Sequence, residues 1–256
     1  MSARTFNPKI ILAGLALVLL PTVGWSQPES VITRANQLYN QNQFQEAAEL
    51  YEQVIAGGKE NGHLYYNLGN AYFRMGDLAS AILNYVKAQN LLPRDEDIEA
   101  NLEYALRQTV DQLDGRTPHA LDSVLFWVRD LSLKEHGTAL LWINLGFWIA
   151  LAFRLHHQTQ ATQTAMNFLL AFLVLAVVST GLRWQQETGS SIGVILPKQI
   201  DVHSGWNAGT VALFQLHQGA IVTLAREKEQ WVELELPDGK TGWTRKSNVT
   251  RERGGT

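Results

Sequence analysis

Hydrophobic and polar positions change rhythm four times along the chain, and each rhythm predicts a different kind of element. The densest apolar stretches are residues 138–153 (TALLWINLGFWIALAF) and 166–182 (MNFLLAFLVLAVVSTGL). Neither holds a charge, and their strongly polar positions are Asn144 in the first and Asn167, Ser179 and Thr180 in the second. A bilayer core is crossed by roughly 17–25 such residues. The pattern therefore predicts two transmembrane helices, 138–155 and 166–183, joined by a polar loop over 154–165. Arg154 and Arg183 stand where they can snorkel from the span ends, and Trp142, Trp148 and Trp184 suit the interfaces. The competing reading is a helical pair buried in a soluble domain, which would need a polar face that neither stretch has. Two crossings return the chain to the side it left, so the segments before 138 and after 184 are expected to share one compartment.

At the amino terminus Arg4 and Lys9 precede an apolar run at 10–20 (IILAGLALVLL), followed by small residues at 21–27. That layout predicts a secretory signal over residues 1–26, cleaved after Ser26; an uncleaved anchor is the alternative and exports the following module to the same side. The charges near the spans do not decide the orientation: Arg154, His156 and His157 in the loop barely outweigh Arg129, Lys134 and Arg183 outside it. The signal does, and places both flanking modules on the periplasmic face of a bacterial inner membrane.

Between about 28 and 112 the apolar positions recur at helical spacing and the segment repeats itself at an offset of 34 residues, pairing Leu38 with Tyr72, Tyr39 with Phe73, Phe44 with Leu78, Ala47 with Ala81, Ala48 with Ile82 and Tyr51 with Tyr85. Such a period belongs to stacked helix-turn-helix units. Gly69 and Ala81 are small where helices must approach, Leu68, Tyr72, Ile82 and Tyr85 fill the seam, Gly76-Asp77 ends one helix and starts the next, and Pro93 stops the last. The second copy resembles the tetratricopeptide repeat (TPR) pattern nearly throughout, with Tyr65, Leu68-Gly69, Tyr72, Ala81, Tyr85, Ala88 and Pro93 at its positions. The first copy departs from it, carrying Ala35 for the glycine and Gly57-Gly58 for the closing proline. A further helix over about 96–110, opened by Asp95, Glu96 and Asp97 and apolar at Leu102, Ala105 and Leu106, is expected to cap the pair, since two repeats alone bury too little. The acids lack the glycine and spacing of a calcium loop.

The TPR resemblance implies a concave groove that binds peptides or protein segments, lined by Asn36, Tyr39 and Asn40 from the first copy and Tyr66, Asn70, Phe73 and Arg74 from the second. At helical spacing the aromatic members read as core somewhat more often than as ligand contacts. The family's carboxylate-clamp specificity is rejected: Asn36 and Asn67 occupy asparagine positions, but Ile32, Asp97 and Asn101 stand where cations are needed.

Beyond a turn at 114–118 (DGRTP), Leu121, Val124, Leu125, Val128 and Leu131 predict a helix over 119–133, lying on the membrane surface or packed on the repeats. Within the first span Gly146 and Ala150 form a pair of small residues at which another helix can approach.

After residue 189 the rhythm changes to alternation. Residues 211–214, 220–224 and 231–236 read as strands and Asp238-Gly239 as a tight hairpin, so that five or six short strands in 189–252 suit a small β-barrel. The segment resembles a bacterial SH3-like (SH3b) domain in Val202-His203-Ser204-Gly205, Gln218-Gly219-Ala220 and the run from Trp231 to Trp243 (WVELELPDGKTGW), with His203 in place of the usual arginine. That resemblance implies binding of cell-wall peptides or packing on a partner, with Trp206 and Trp243 as candidate ligand contacts; Trp231 and Trp243 read equally as core. The fold class expected for the whole chain is a multidomain α + β membrane protein.

Composition narrows the function. A net charge of -3 with no basic run excludes nucleic acid as partner. The absence of cysteine excludes disulfides, thiolate metal sites and a cysteine nucleophile. No phosphate loop, dinucleotide fingerprint, metalloprotease helix or nucleophile elbow occurs, and the seven histidines are scattered, so no catalytic residue, metal or cofactor is expected. The order of signal, repeats, surface helix, two spans and SH3b module resembles that of the Bat aerotolerance proteins. This resemblance implies a non-catalytic envelope scaffold that works with other Bat proteins carrying von Willebrand A domains and with a MoxR-type ATPase. The alternative is a tether or sensor whose SH3b module grips peptidoglycan.

Overall fold

The first half of the chain is built where small residues let helices cross and large ones fill the gaps. In the computed structural model, which describes residues 28–113, 126–156, 159–189, 191–207 and 209–251, two antiparallel helix pairs come first: α1 (Pro28–Asn40) with α2 (Phe44–Ala56), and α3 (Gly62–Met75) with α4 (Leu78–Leu91). A fifth helix, α5 (Glu96–Arg107), packs on α4. Side chains set the boundaries. Asn61, Asp77 and Asp95 each accept a hydrogen bond from the first turn of the helix that follows. Gly76, at φ +79°, ends α3 in the left-handed region. At the α3–α4 crossing a Cβ on Gly69 would lie 2.7 Å from the Tyr85 ring. Ala35, Ala47, Ala48, Tyr51, Leu64 and Leu68 form one core. Ala81, Ile82, Tyr85, Leu102 and Ala105 form the next, which seats the capping face of α5.

A short helix α6 (Phe126–Asp130) precedes two long ones, α7 (Leu133–His156) and α8 (Gln160–Gly189). The expected signal at 1–26 and the first part of the 119–133 helix lie outside the described residues. Ser132 and Glu135 open α7 as a reciprocal cap, the Ser132 amide donating to the Glu135 carboxylate at 2.9 Å and the Glu135 amide to Ser132 Oγ at 3.3 Å. The expected 154–165 loop is much shorter, because Thr159 caps the first turn of α8 through the Thr162 amide at 3.3 Å and the polar run after it stays helical. Both helices are long and apolar enough to cross a membrane, with mean hydropathy 1.6 and 2.2 over their best windows, of which 0% and 6% is buried. Leu140, Ile143, Phe147, Ala150 and Arg154, half-buried at alternating spacings of three and four, form the seam of α7 against α8.

The last module is a seven-stranded antiparallel sheet of β1 (Ser191–Ile195), β2 (Gln199–His203), β3 (Ala212–His217), β4 (Ile221–Lys228), β5 (Trp231–Glu235), β6 (Thr241–Arg245) and β7 (Val249–Arg251), in the order β3-β2-β6-β5-β4-β1-β7. The sheet has one or two strands more than the five or six expected. β1 follows directly on a helix and β7 is three residues long, so neither makes a periodic signal. Gly239, at φ +82°, makes the β5–β6 turn expected at Asp238-Gly239. Ile195, Val202, Leu216, Val222, Val232 and Leu234 fill the interior.

The repeats and the sheet touch. Val194 of β1 joins the core of Ile82, Tyr85 and Leu102, while Leu113 packs on the core of the sheet. Gly219 approaches so closely that a Cβ would lie 2.8 Å from Thr109 and 2.9 Å from Ile82. Asp111 accepts the His217 amide hydrogen at 2.5 Å and lies 3.0 Å from His217 Nδ1. The repeats also meet both ends of the helical hairpin: Arg94 pairs with Glu135, and Arg183 donates to the Asn90 carbonyl at 3.3 Å.

Candidate functional site

α1 and α3 stand side by side, and the groove between them is lined by carboxamides. Asn36, Tyr39, Asn40, Asn67 and Asn70, with Tyr51 behind them, enclose a recess of about 340 Å³. One arrangement is used twice. Tyr51 in α2 donates its hydroxyl to Asn36 Oδ1 at 2.6 Å, and Tyr85 in α4 donates to Asn70 Oδ1 at 2.8 Å, each across 15 residues of chain. Burial keeps both phenols protonated: it pushes the Tyr51 hydroxyl up to about 12, with Tyr39 adding to the effect, and raises Tyr85 likewise, helped by Tyr66 and Tyr39. Each phenol is therefore held as a donor.

Second hydrogen bonds complete the fixing. Asn67 Nδ2 lies 3.5 Å from Asn36 Oδ1, and Asn101 of α5 donates to Asn70 Oδ1 at 3.0 Å and to the Tyr66 hydroxyl at 2.9 Å. With both Oδ1 atoms occupied, the Asn36 and Asn70 amides present N–H donors to the recess, and Asn67 presents its oxygen. Among the described residues no charged side chain lines it. Donors and acceptors without charge match the C=O and N–H groups of an extended peptide, and offer nothing to a terminal carboxylate.

Of the seven residues expected to line the groove, the structure gathers Asn36, Tyr39, Asn40 and Asn70 around this recess and places the other three beside it. Tyr66 and Phe73 are half-buried against the core of α4 and α5. Arg74 lies over the Phe44 ring, 4.4 Å from its centre, with Nη2 3.5 Å from Asn42 Oδ1. Read over two copies, the sequence marks Asn101 only as a failed clamp position, and does not mark Tyr104 and Arg107 at all. Asn101, Tyr104 and Arg107 stand 34 positions after Asn67, Asn70 and Phe73, so α5 continues the groove as a third first-helix as well as capping the stack. Tyr104 contacts Phe73 at 5.6 Å between ring centres, and Arg107 pairs with Glu103 at 2.6 Å. The 34-residue offset, applied once more to Asn70 and Phe73, marks Tyr104 and Arg107.

Residues 32–90 match a tetratricopeptide repeat family model. None of the curated proteins compared with the chain matches it. The TPR repeats explain the doubled tyrosine-to-asparagine bond as one position of the repeat used twice, and they are protein-interaction modules, typically non-catalytic.

On the β module Trp206 and Trp243 meet edge to face, 4.9 Å between ring centres. Trp243 is only 5% exposed, and Lys228 Nζ lies 3.9 Å above the half-buried Trp206 ring. Of the two, Trp206 is the ring within reach of a ligand. His203 and Arg245 flank the neighbouring Trp231, 6.0 and 5.9 Å from its ring centre.

Proposed function

We propose that this chain is a non-catalytic, membrane-anchored scaffold of the bacterial envelope, a BatE-like member of the Bat aerotolerance group. Its TPR groove holds an uncharged, extended segment of a partner, and its SH3b-like module rides on the back of the repeats. The carboxamide-lined recess carries this reading, because the uncharged donors and acceptors that line it among the described residues suit main-chain recognition. Lipid is the cover that the bare apolar faces of α7 and α8 call for, since the core helices of a soluble domain are mostly buried. The two helices form a hairpin, so both soluble modules stand on one side of the bilayer, the periplasmic side if the amino terminus acts as an export signal. Holding both modules there raises the effective concentration of one for a partner gripped by the other. The partners proposed are Bat proteins with von Willebrand A domains, with a MoxR-type ATPase beyond the membrane.

Cross-linking in whole cells through a tag after Thr256, combined with protease access from outside, tests the reading. Capture of von Willebrand A-domain membrane proteins, with both modules cut only from the periplasmic side, is the expected result. Protection of either module from external protease would break the hairpin topology. A second reading, a wall tether, is favoured by the Trp206 ring beneath Lys228, a flat apolar face beside a cation. It expects the detergent-solubilised protein to pellet with wall sacculi and Trp206→Ala to abolish this.

A further inference from the structure

We infer that α7 carries a second docking face, centred on Asn144, for α7 of a second copy of this chain. The inference rests on the membrane reading above. α7 has two stripes with the alternating three-and-four spacing of helix-pairing positions. One, Leu140, Ile143, Phe147, Ala150 and Arg154, is the half-buried seam against α8. The other runs one residue later, through Gly137, Leu141, Asn144, Trp148, Leu151 and Leu155, about a quarter-turn round the helix from the first, and all of it but the half-buried Leu151 is exposed. Leu141, Trp148 and Leu155 on it are 63%, 58% and 75% exposed. Asn144 sits six residues after Thr138 and eleven before Leu155. At 1.5 Å per residue that is about 9 Å and about 16 Å along the axis, well inside the hydrocarbon layer. Its carboxamide is exposed and hydrogen-bonds to none of the described residues.

A bare carboxamide facing hydrocarbon is costly, because lipid tails return neither a donor nor an acceptor. A second copy supplies both. Every copy inserts in the same orientation, so two α7 helices related by a twofold axis normal to the membrane run parallel and bring Asn144 to Asn144 at one depth. Each amide then donates to the other's oxygen, an isologous pair that an asparagine can make with itself. A single asparagine in such a stripe fixes register and copy number in paired helices. The span of an unrelated protein would have to carry a matching polar group at that depth. Dimerisation would set two TPR grooves side by side on one face of the bilayer.

The chain has no cysteine, so disulfide cross-linking can be read from single introduced residues. Leu141→Cys and Leu151→Cys on the stripe, and Ile149→Cys off it, are made in the full-length protein and oxidised in native membranes. Dimers are expected from the first two and not from the third. Adding Asn144→Leu to Leu141→Cys should lower the dimer yield at least fivefold, and Asn144→Gln should keep it. Monomers throughout, equal dimer from Ile149→Cys, indifference to Asn144→Leu, or adducts to a different protein would each overturn the second-copy face while the protein resists alkaline extraction from the membrane. Release by alkaline extraction would instead defeat the membrane reading, and the proposed face with it.

Discussion

Tyr51 and Tyr85 do the same work one repeat apart, and the asparagines they fix are what the groove shows to a ligand. Removing Asn70 strands the hydroxyl of Tyr85, which is 2% exposed, and leaves the Asn101 amide only its bond to the Tyr66 hydroxyl. Asn70→Ala should therefore cost about 1–3 kcal/mol, whereas Asn40→Ala, which breaks no bond between described residues, should leave stability within about 0.5 kcal/mol. Denaturant unfolding of the solubilised protein measures both. The phenols also make the repeats sensitive to alkali. Burial raises Tyr51 from 10 to about 12, so the folded state holds its proton more tightly than the unfolded chain does. That stabilisation is complete below pH 10 and is lost as pH rises through about 12. Tyr65, Tyr72 and Tyr85 shift in the same direction, first through burial, with Glu60 adding at Tyr65 and Glu52 at Tyr72. Helical circular dichroism should fall over this range, and less steeply in Tyr51→Phe.

At the scale of elements, α5 both caps the stack and completes the groove, and one side chain starts it. The Asp95 carboxylate accepts from the Asp97 and Ile98 amides at 3.1 and 3.2 Å. Asp95→Ala should lower stability by about 1 kcal/mol and loosen α5, seen as faster amide exchange at Asn101 and Leu102 than in α1. The helix was legible from its acids and from Leu102 and Ala105, but its second role was not, because Glu103 stands where the repeat has Gly69 and no second helix with a closing proline follows at the repeat spacing. The long helices show a different limit. Apolar length marks where each begins and ends to within a turn or two, but the polar first turn of α8 looks like loop until the Thr159 cap is seen to hold it.

For the molecule as a whole, the contact between repeats and sheet decides whether the grip of one module can be felt at the other. Gly219 is the tightest point of that contact and also has φ +87°, so Gly219→Val meets backbone strain and the Thr109 and Ile82 side chains at once. The expected outcome is separation of the modules, read as an increased radius of gyration and exposure of Ile82 and Val194 to solvent in hydrogen exchange. The repeat core below Tyr51 should keep its protection. Unchanged dimensions would mean that the contact gives way locally without parting the modules.

Spacing along the chain was enough to determine the TPR repeats, the two apolar helices and the strands β3, β4 and β5 of the last module, because 34-residue, helical and alternating periods are written in neighbouring residues. Local chemistry also determined the caps and turns at Asp77, Asp95 and Asp238-Gly239. Tertiary structure alone decided which groove residues share the recess. Tyr66, Phe73 and Arg74 have the same helical spacing as their neighbours, and only packing against α4, α5 and Phe44 separates them from Asn36 and Asn70. It also decided the docking of the sheet, for Asp111 and His217 lie 106 residues apart and no local pattern marks them as partners.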